Sequence, residues 1–197
     1  MKALLFLITG LLLLTGCNSD SQNITEAPPA PGKYAFAVVY ENHSWSNSKK
    51  GLVITGAGDI YRYDISAVNP ASILRQDSLT EADLTRYFEA AEYRFIEQMP
   101  NAQLQNFWSV ATKSGSSTLS EPASICRDAG VFQYLAFSYD KNTLRYRSHL
   151  LYQTGDFRIQ QSDAAIQPVK DYLLNKALAQ QIAYKLDPDG NNWCSGM

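Results

Sequence analysis

Two pairs of β-prone runs, each joined by a turn of three residues, leave this chain few options other than an antiparallel sheet. Residues 51–55 and 59–65 flank Gly56-Ala57-Gly58, where glycine tolerates the positive φ of a tight hairpin. In the second arm Tyr61 and Tyr63 share one face, while Ile60, Arg62 and Asp64 share the other. Residues 131–139 and 143–152 flank Asp140-Lys141-Asn142 and predict a second hairpin, extended by a short strand near 157–160. The apolar run 34–40 predicts a buried strand ahead of both. Twelve tyrosines, eight phenylalanines and three tryptophans suit that architecture, because flat rings pack well on a pleated surface.

Helical patterning interrupts and follows the hairpins. Thr80 is a natural N-cap with Asp83 three residues on, and Leu79 and Leu84 occupy the two positions of a hydrophobic staple. Leu84, Tyr87, Phe88, Ala91 and Phe95 recur at helical spacing, which predicts one helix that Pro100 stops. A second helix over 102–112 would bury Leu104, Phe107, Trp108 and Ala111. Residues 113–122 read as a Ser/Gly-rich loop. Pro168 opens a last helix expected to run to about Leu186, since proline suits a first helical turn. No internal repeat is evident. The pattern predicts one α+β domain over 34–197: a mainly antiparallel sheet built from hairpins, with two central helices and one C-terminal helix.

The first sixteen residues have a different character. Lys2 gives a positive start, and residues 3–14 are nearly all apolar, a length that fits a signal-peptide core and is short for a bilayer span. Leu14-Thr15-Gly16-Cys17 follows. This resembles the lipobox of bacterial lipoproteins: a leucine, two small residues, then the cysteine. The resemblance implies a diacylglyceryl thioether on Cys17, cleavage after Gly16, acylation of the freed amine and attachment to the cell envelope. Asn18 stands where an aspartate would resemble an inner-membrane retention signal, so the outer membrane, facing the periplasm, is the expected location. Residues 18–33 are polar and proline-rich, and read as a tether behind Cys17 with a mean reach of roughly 20 Å. The divisions are therefore 1–16, 17–33 and 34–197.

Lipid on Cys17 would leave Cys126 and Cys194. An exported chain meets oxidising conditions, so these two are expected to pair. In the chain-entropy model, closing that loop stabilises by about 4 kcal/mol. A metal pair is the rival, but no Cys-x-x-Cys spacing supports it, and no cofactor is expected. The whole chain carries a formal charge of -2, and without Lys2 the balance of 16 against 19 gives -3. A nucleic-acid partner would call for a basic excess, which is lacking.

Chemistry-bearing constellations are few. The two histidines are His43, in the polar segment Glu41-Asn42-His43-Ser44-Trp45, and His149. Arg145, Arg147 and His149 alternate along one predicted strand and would project from one face. They read either as an anion-binding stripe for a carboxylate or phosphate, or as the wet face of the sheet. Ser44 beside His43 makes no triad by adjacency, and the serines of 114–117 have no linked base. Gly56-Ala57-Gly58-Asp59 lacks the third glycine and following helix of a nucleotide loop. Asp187-Pro188-Asp189-Gly190-Asn191 fails the calcium-loop pattern, with glycine fourth rather than sixth.

The segments Glu41-Asn42-His43-Ser44-Trp45, Gly51-Leu52-Val53-Ile54 and Gly58-Asp59-Ile60-Tyr61-Arg62-Tyr63-Asp64 together resemble a pattern in bacterial secreted proteins and lipoproteins without assigned activity. That resemblance implies no chemistry. The sequence leans away from an enzyme and toward an envelope lipoprotein that binds a protein or small ligand, immunity or inhibitor roles included. The alternatives are an envelope hydrolase using His43 or His149, and a structural lipoprotein of envelope assembly.

Overall fold

The computed structural model describes residues 31–42, 48–65, 78–89, 92–114, 119–126 and 129–182. The predicted leader, Cys17, the predicted tether up to residue 30, His43 to Trp45, Ala91, residues 115–117, residues 183–191 and Cys194 lie outside them. Among the described residues the fold is α+β: a wholly antiparallel nine-stranded sheet with three helices.

In chain order the elements are β1 (Tyr34–Asn42), β2 (Ser48–Thr55), β3 (Asp59–Ile65), β4 (Leu79–Thr80), α1 (Glu81–Glu89), β5 (Glu92–Gln98), α2 (Asn101–Lys113), β6 (Ala123–Ser124), β7 (Val131–Asp140), β8 (Arg145–Gly155), β9 (Phe157–Gln160) and α3 (Gln167–Ala179). The strands lie in the order β5-β3-β2-β1-β7-β8-β9-β6, with β4 alongside β8. Two meanders, β1-β2-β3 and β7-β8-β9, thus join back to back through β1 and β7. The first turn is the one glycine was expected to make: Gly58 has φ 91° and its N–H donates to the Thr55 carbonyl at 2.9 Å.

Every residue of β1 is buried, because the sheet is covered on both faces. Phe36, Val38 and Tyr40 face a core closed by Leu104, Trp108 and Ala111 of α2 and by Val169, Leu173 and Ala177 of α3. Ala37 and Val39 face a second core closed by Leu84, Tyr87 and Phe88 of α1. Tyr34, Tyr63, Tyr87 and Phe88 meet there edge-on or tilted, at ring centroid distances of 5.2–6.4 Å. Such contacts fit the ring quadrupoles.

The N-terminus of α1 follows its predicted chemistry. Thr80 Oγ1 accepts from the Asp83 N–H at 3.1 Å, and Asp83 Oδ2 accepts from the Thr80 N–H at 2.9 Å. This is a reciprocal capping box. Leu79 and Leu84 are both fully buried in the same core. The Asp83 carboxyl is held below its ordinary value by the side-chain and backbone hydrogen bonds of Thr80.

Two expectations need correction. The helix begun at Thr80 ends at Glu89, and Phe95 belongs to strand β5. Residues 92–98 alternate rather than repeat at helical spacing, and they pair with β3, Tyr93 opposite Tyr63 and Phe95 opposite Tyr61. Tyr61 stacks edge-on with Tyr93 and Phe95 at 5.7 and 5.6 Å. The last helix ends at Ala179, short of Leu186. Gln181 takes φ 56°, its N–H donates to the Leu178 carbonyl at 3.0 Å, and the Ile182 N–H donates to the Ala177 carbonyl at 2.9 Å. That is a Schellman stop with glutamine in the left-handed position. Buried Ile182 and Ala177 supply its apolar contact.

Candidate functional site

The β7–β8 hairpin and the C-terminal end of α2 enclose an open groove of about 720 Å³. Its position follows from the register of the hairpin. Asp140 pairs with Arg145, Ser138 with Arg147 and Ala136 with His149, so these side chains share one face of the sheet. That face carries α2, and the groove opens where the helix stops. Trp108, Thr112 and Lys113 form the helical wall, and Ser138, Asp140, Arg145 and Arg147 form the strand side. Trp108 is anchored by its indole N–H, which donates to the Phe137 carbonyl at 2.7 Å.

The groove is cationic. Lys113, Arg145 and Arg147 stand against one lining carboxylate, Asp140, which leaves a balance of 3 minus 1, or +2, in a chain of net charge -2. Asp140 is committed to its own turn: Oδ1 accepts from the Asn142 N–H at 2.8 Å and Oδ2 from the Thr143 hydroxyl at 2.9 Å. Those bonds, the Asn142 amide first, hold its carboxyl below the usual aspartate value. Arg145 donates to Ser78 Oγ at 3.4 Å. Among the described residues, Arg147 and Lys113 make no ion pair. Both arginines are exposed, so their charge is open to a ligand. The terminal carbonyls of α2 oppose an anion, and Lys113 in the last turn offsets them.

His149 occupies a different setting. It is half-buried, and its Nε2 lies 2.8 Å from Ser138 Oγ. Burial first, and Arg147 second, push its pKa below the ordinary 6.5, so the ring is neutral at neutral pH. With the proton on Nδ1, Nε2 accepts from the Ser138 hydroxyl, and Ser138 itself lines the groove.

The predicted stripe therefore divides. Arg145 and Arg147 reach the groove, while His149 stands behind Ser138. The face is neither a bare wet surface nor a simple row of three cations. Alternation along one strand revealed the arginines. Lys113, Ser78, Thr112 and Ser138 come from other elements, and no single-strand pattern points to them. Cys126 is buried and disulfide-bonded, with its partner outside the described residues. Cys17, Cys194 and His43 also lie outside. No three His, Cys, Asp or Glu side chains among the described residues are grouped as a metal site. No family model, curated protein or solved structure matches the chain.

Proposed function

We propose that this chain is a lipid-anchored envelope protein whose domain binds an anionic ligand in the groove beside β7 and β8. The convergence of Lys113, Arg145 and Arg147 on one groove carries the binding reading. Guanidinium groups suit carboxylate and phosphate oxygens because their N–H donors form a planar fork. Of the lining hydroxyls, Ser78 keeps its proton to donate, whereas Thr112 and Thr143 give theirs to the Trp108 carbonyl and to Asp140 Oδ2. The ligand is a carboxylate or phosphate, free or displayed on an envelope protein. An immunity or inhibitor role fits the second case.

The anchor rests on Leu14-Thr15-Gly16-Cys17, with the domain held at the outer membrane and facing the periplasm. Cys194 is the proposed partner of Cys126, which would tie the C-terminal tail to the segment before β7. Replacing Cys17→Ser should move the chain from the membrane fraction to the soluble fraction and abolish labelling by fatty acid. A serine variant that stays in the membrane would end the anchor reading.

Calorimetric titration of the full chain in detergent, with succinate and with inorganic phosphate at low ionic strength, tests the groove. At least one anion should bind to the wild type. Arg145→Ala/Arg147→Ala should weaken it by at least about a hundredfold, since hydrogen bonds to charged groups contribute about 1.5–3 kcal/mol each. Added salt should weaken binding in the wild type as well. Binding of neither anion, or equal binding by the double variant, would sink the proposal.

A further inference from the structure

We infer that Ser138 and His149 form a nucleophile–base pair, and that the groove can accept an acyl group from an ester whose acyl portion carries a negative charge. The inference rests on the anionic-ligand reading for its choice of substrate, and on separate geometry for its chemistry. Ser138 Oγ and His149 Nε2 are within hydrogen-bond distance, which is the contact an activated serine requires. The serine faces the groove and the histidine lies behind it. The ring is neutral at neutral pH, so it is in the form that can take a proton. Arg147 lies directly opposite Ser138 in the β7–β8 register and lines the same groove. Its guanidinium is the positive charge assigned to the oxygen on which charge develops.

The step balances as follows. Ser138 Oγ bonds to the ester carbonyl carbon while its proton passes to His149 Nε2. Collapse breaks the bond to the leaving alkoxide, which takes that proton. Water then attacks the acyl-serine, its proton passes to Nε2, and the acid leaves as Ser138 Oγ is reprotonated. Ester and water become acid and alcohol. No group among the described residues hydrogen-bonds His149 Nδ1, so apart from its contact with Ser138 the ring is oriented by packing. Losing that orienting bond costs a serine hydrolase orders of magnitude in rate. The reaction is therefore slow and needs an activated ester.

Two probes decide the matter with the full chain in detergent: mono-4-nitrophenyl adipate, which is anionic, and 4-nitrophenyl hexanoate, which is neutral. The wild type should release nitrophenolate faster than buffer, and faster from the anionic ester. Peptide mapping should place an adipoyl group on Ser138. Ser138→Ala and His149→Gln should each slow release by at least about a hundredfold, the usual scale of general-base help. The glutamine can still hydrogen-bond to the serine, so loss of that hydrogen bond does not explain its effect. The wild-type rate should fall only as pH drops below the ordinary histidine value of 6.5. Release no faster than buffer, acylation mapped to a lysine, or undiminished release by Ser138→Ala would overturn the nucleophile. Equal rates on the two esters would overturn the anionic substrate. Succinate binding without acyl transfer would remove this inference and leave the binding reading intact; the acyl map on the wild type decides even if a variant fails to fold.

Discussion

Replacing Glu41→Leu should destabilise the domain by about 3–5 kcal/mol, the scale for breaking a buried ion pair from one side. Glu41 on β1 stands directly opposite Lys49 on β2, and both side chains are almost fully buried. Lys49 Nζ lies 3.6 Å from Glu41 Oε1, which also accepts from the Tyr87 hydroxyl at 3.0 Å. Removing the carboxylate leaves the ammonium in a place where desolvation is no longer offset by that charge. A urea melt of Glu41→Leu reads the loss as a lowered midpoint. Glu41→Leu/Lys49→Met should recover most of it, because an apolar pair of similar volume often replaces a buried ion pair without cost. A single variant that loses less than about 1 kcal/mol would mean that the pair is not buried as described.

The same cluster predicts an alkaline limit. Burial, then the Glu41 charge, raises the Tyr87 pKa far above its ordinary 10.0. Tyr63 is raised too, chiefly by burial. The folded state therefore binds more protons than the unfolded chain once pH passes 10. Stability from these phenols is fully present below that value and is lost as pH rises beyond it.

Trp108→Ala is the second large effect, at about 3–5 kcal/mol. The indole is 3% exposed and packs in the core between α2, α3 and the sheet. Its N–H bond to the Phe137 carbonyl ties α2 to β7 where the groove begins. Trp108→Phe keeps a ring there but loses that donor, so it should cost less, about 1–3 kcal/mol. Thermal unfolding of both variants checks the order. Equal losses would show that the hydrogen bond, rather than ring volume, dominates at this position.

Much of the framework was legible because it depends on neighbours in the chain. The Thr80–Asp83 box, the Gly56-Ala57-Gly58 turn and the alternation of Arg145 and Arg147 each need only a few adjacent residues. Residues 92–98 misled because Phe95 lies four positions after Ala91 and two after Tyr93, so it fits both periods. Only pairing with β3 selects the strand. The candidate site turned on a similar point. A turn confined to Asp140-Lys141-Asn142 would set Tyr139 opposite Thr143 and Ser138 opposite Leu144. The observed loop continues through Leu144, at φ 55°, and sets Ser138 opposite Arg147. A register change by an odd number of residues exchanges the faces, so Ser138 joins the arginines and His149 only through the longer turn.

The sequence by itself determined the class of fold, through periodicity and turn chemistry, and it carried the lipobox-like Leu14-Thr15-Gly16-Cys17, on which the anchor proposal rests. Both are local properties. Tertiary structure alone decided that both sheet faces are covered, that Glu41 and Lys49 are buried opposite each other, and that Lys113 meets the arginines across a groove. It also placed Ser138 against His149. Each of these depends on strand register and on where helices land on the sheet, which long-range packing sets and no short window of sequence contains.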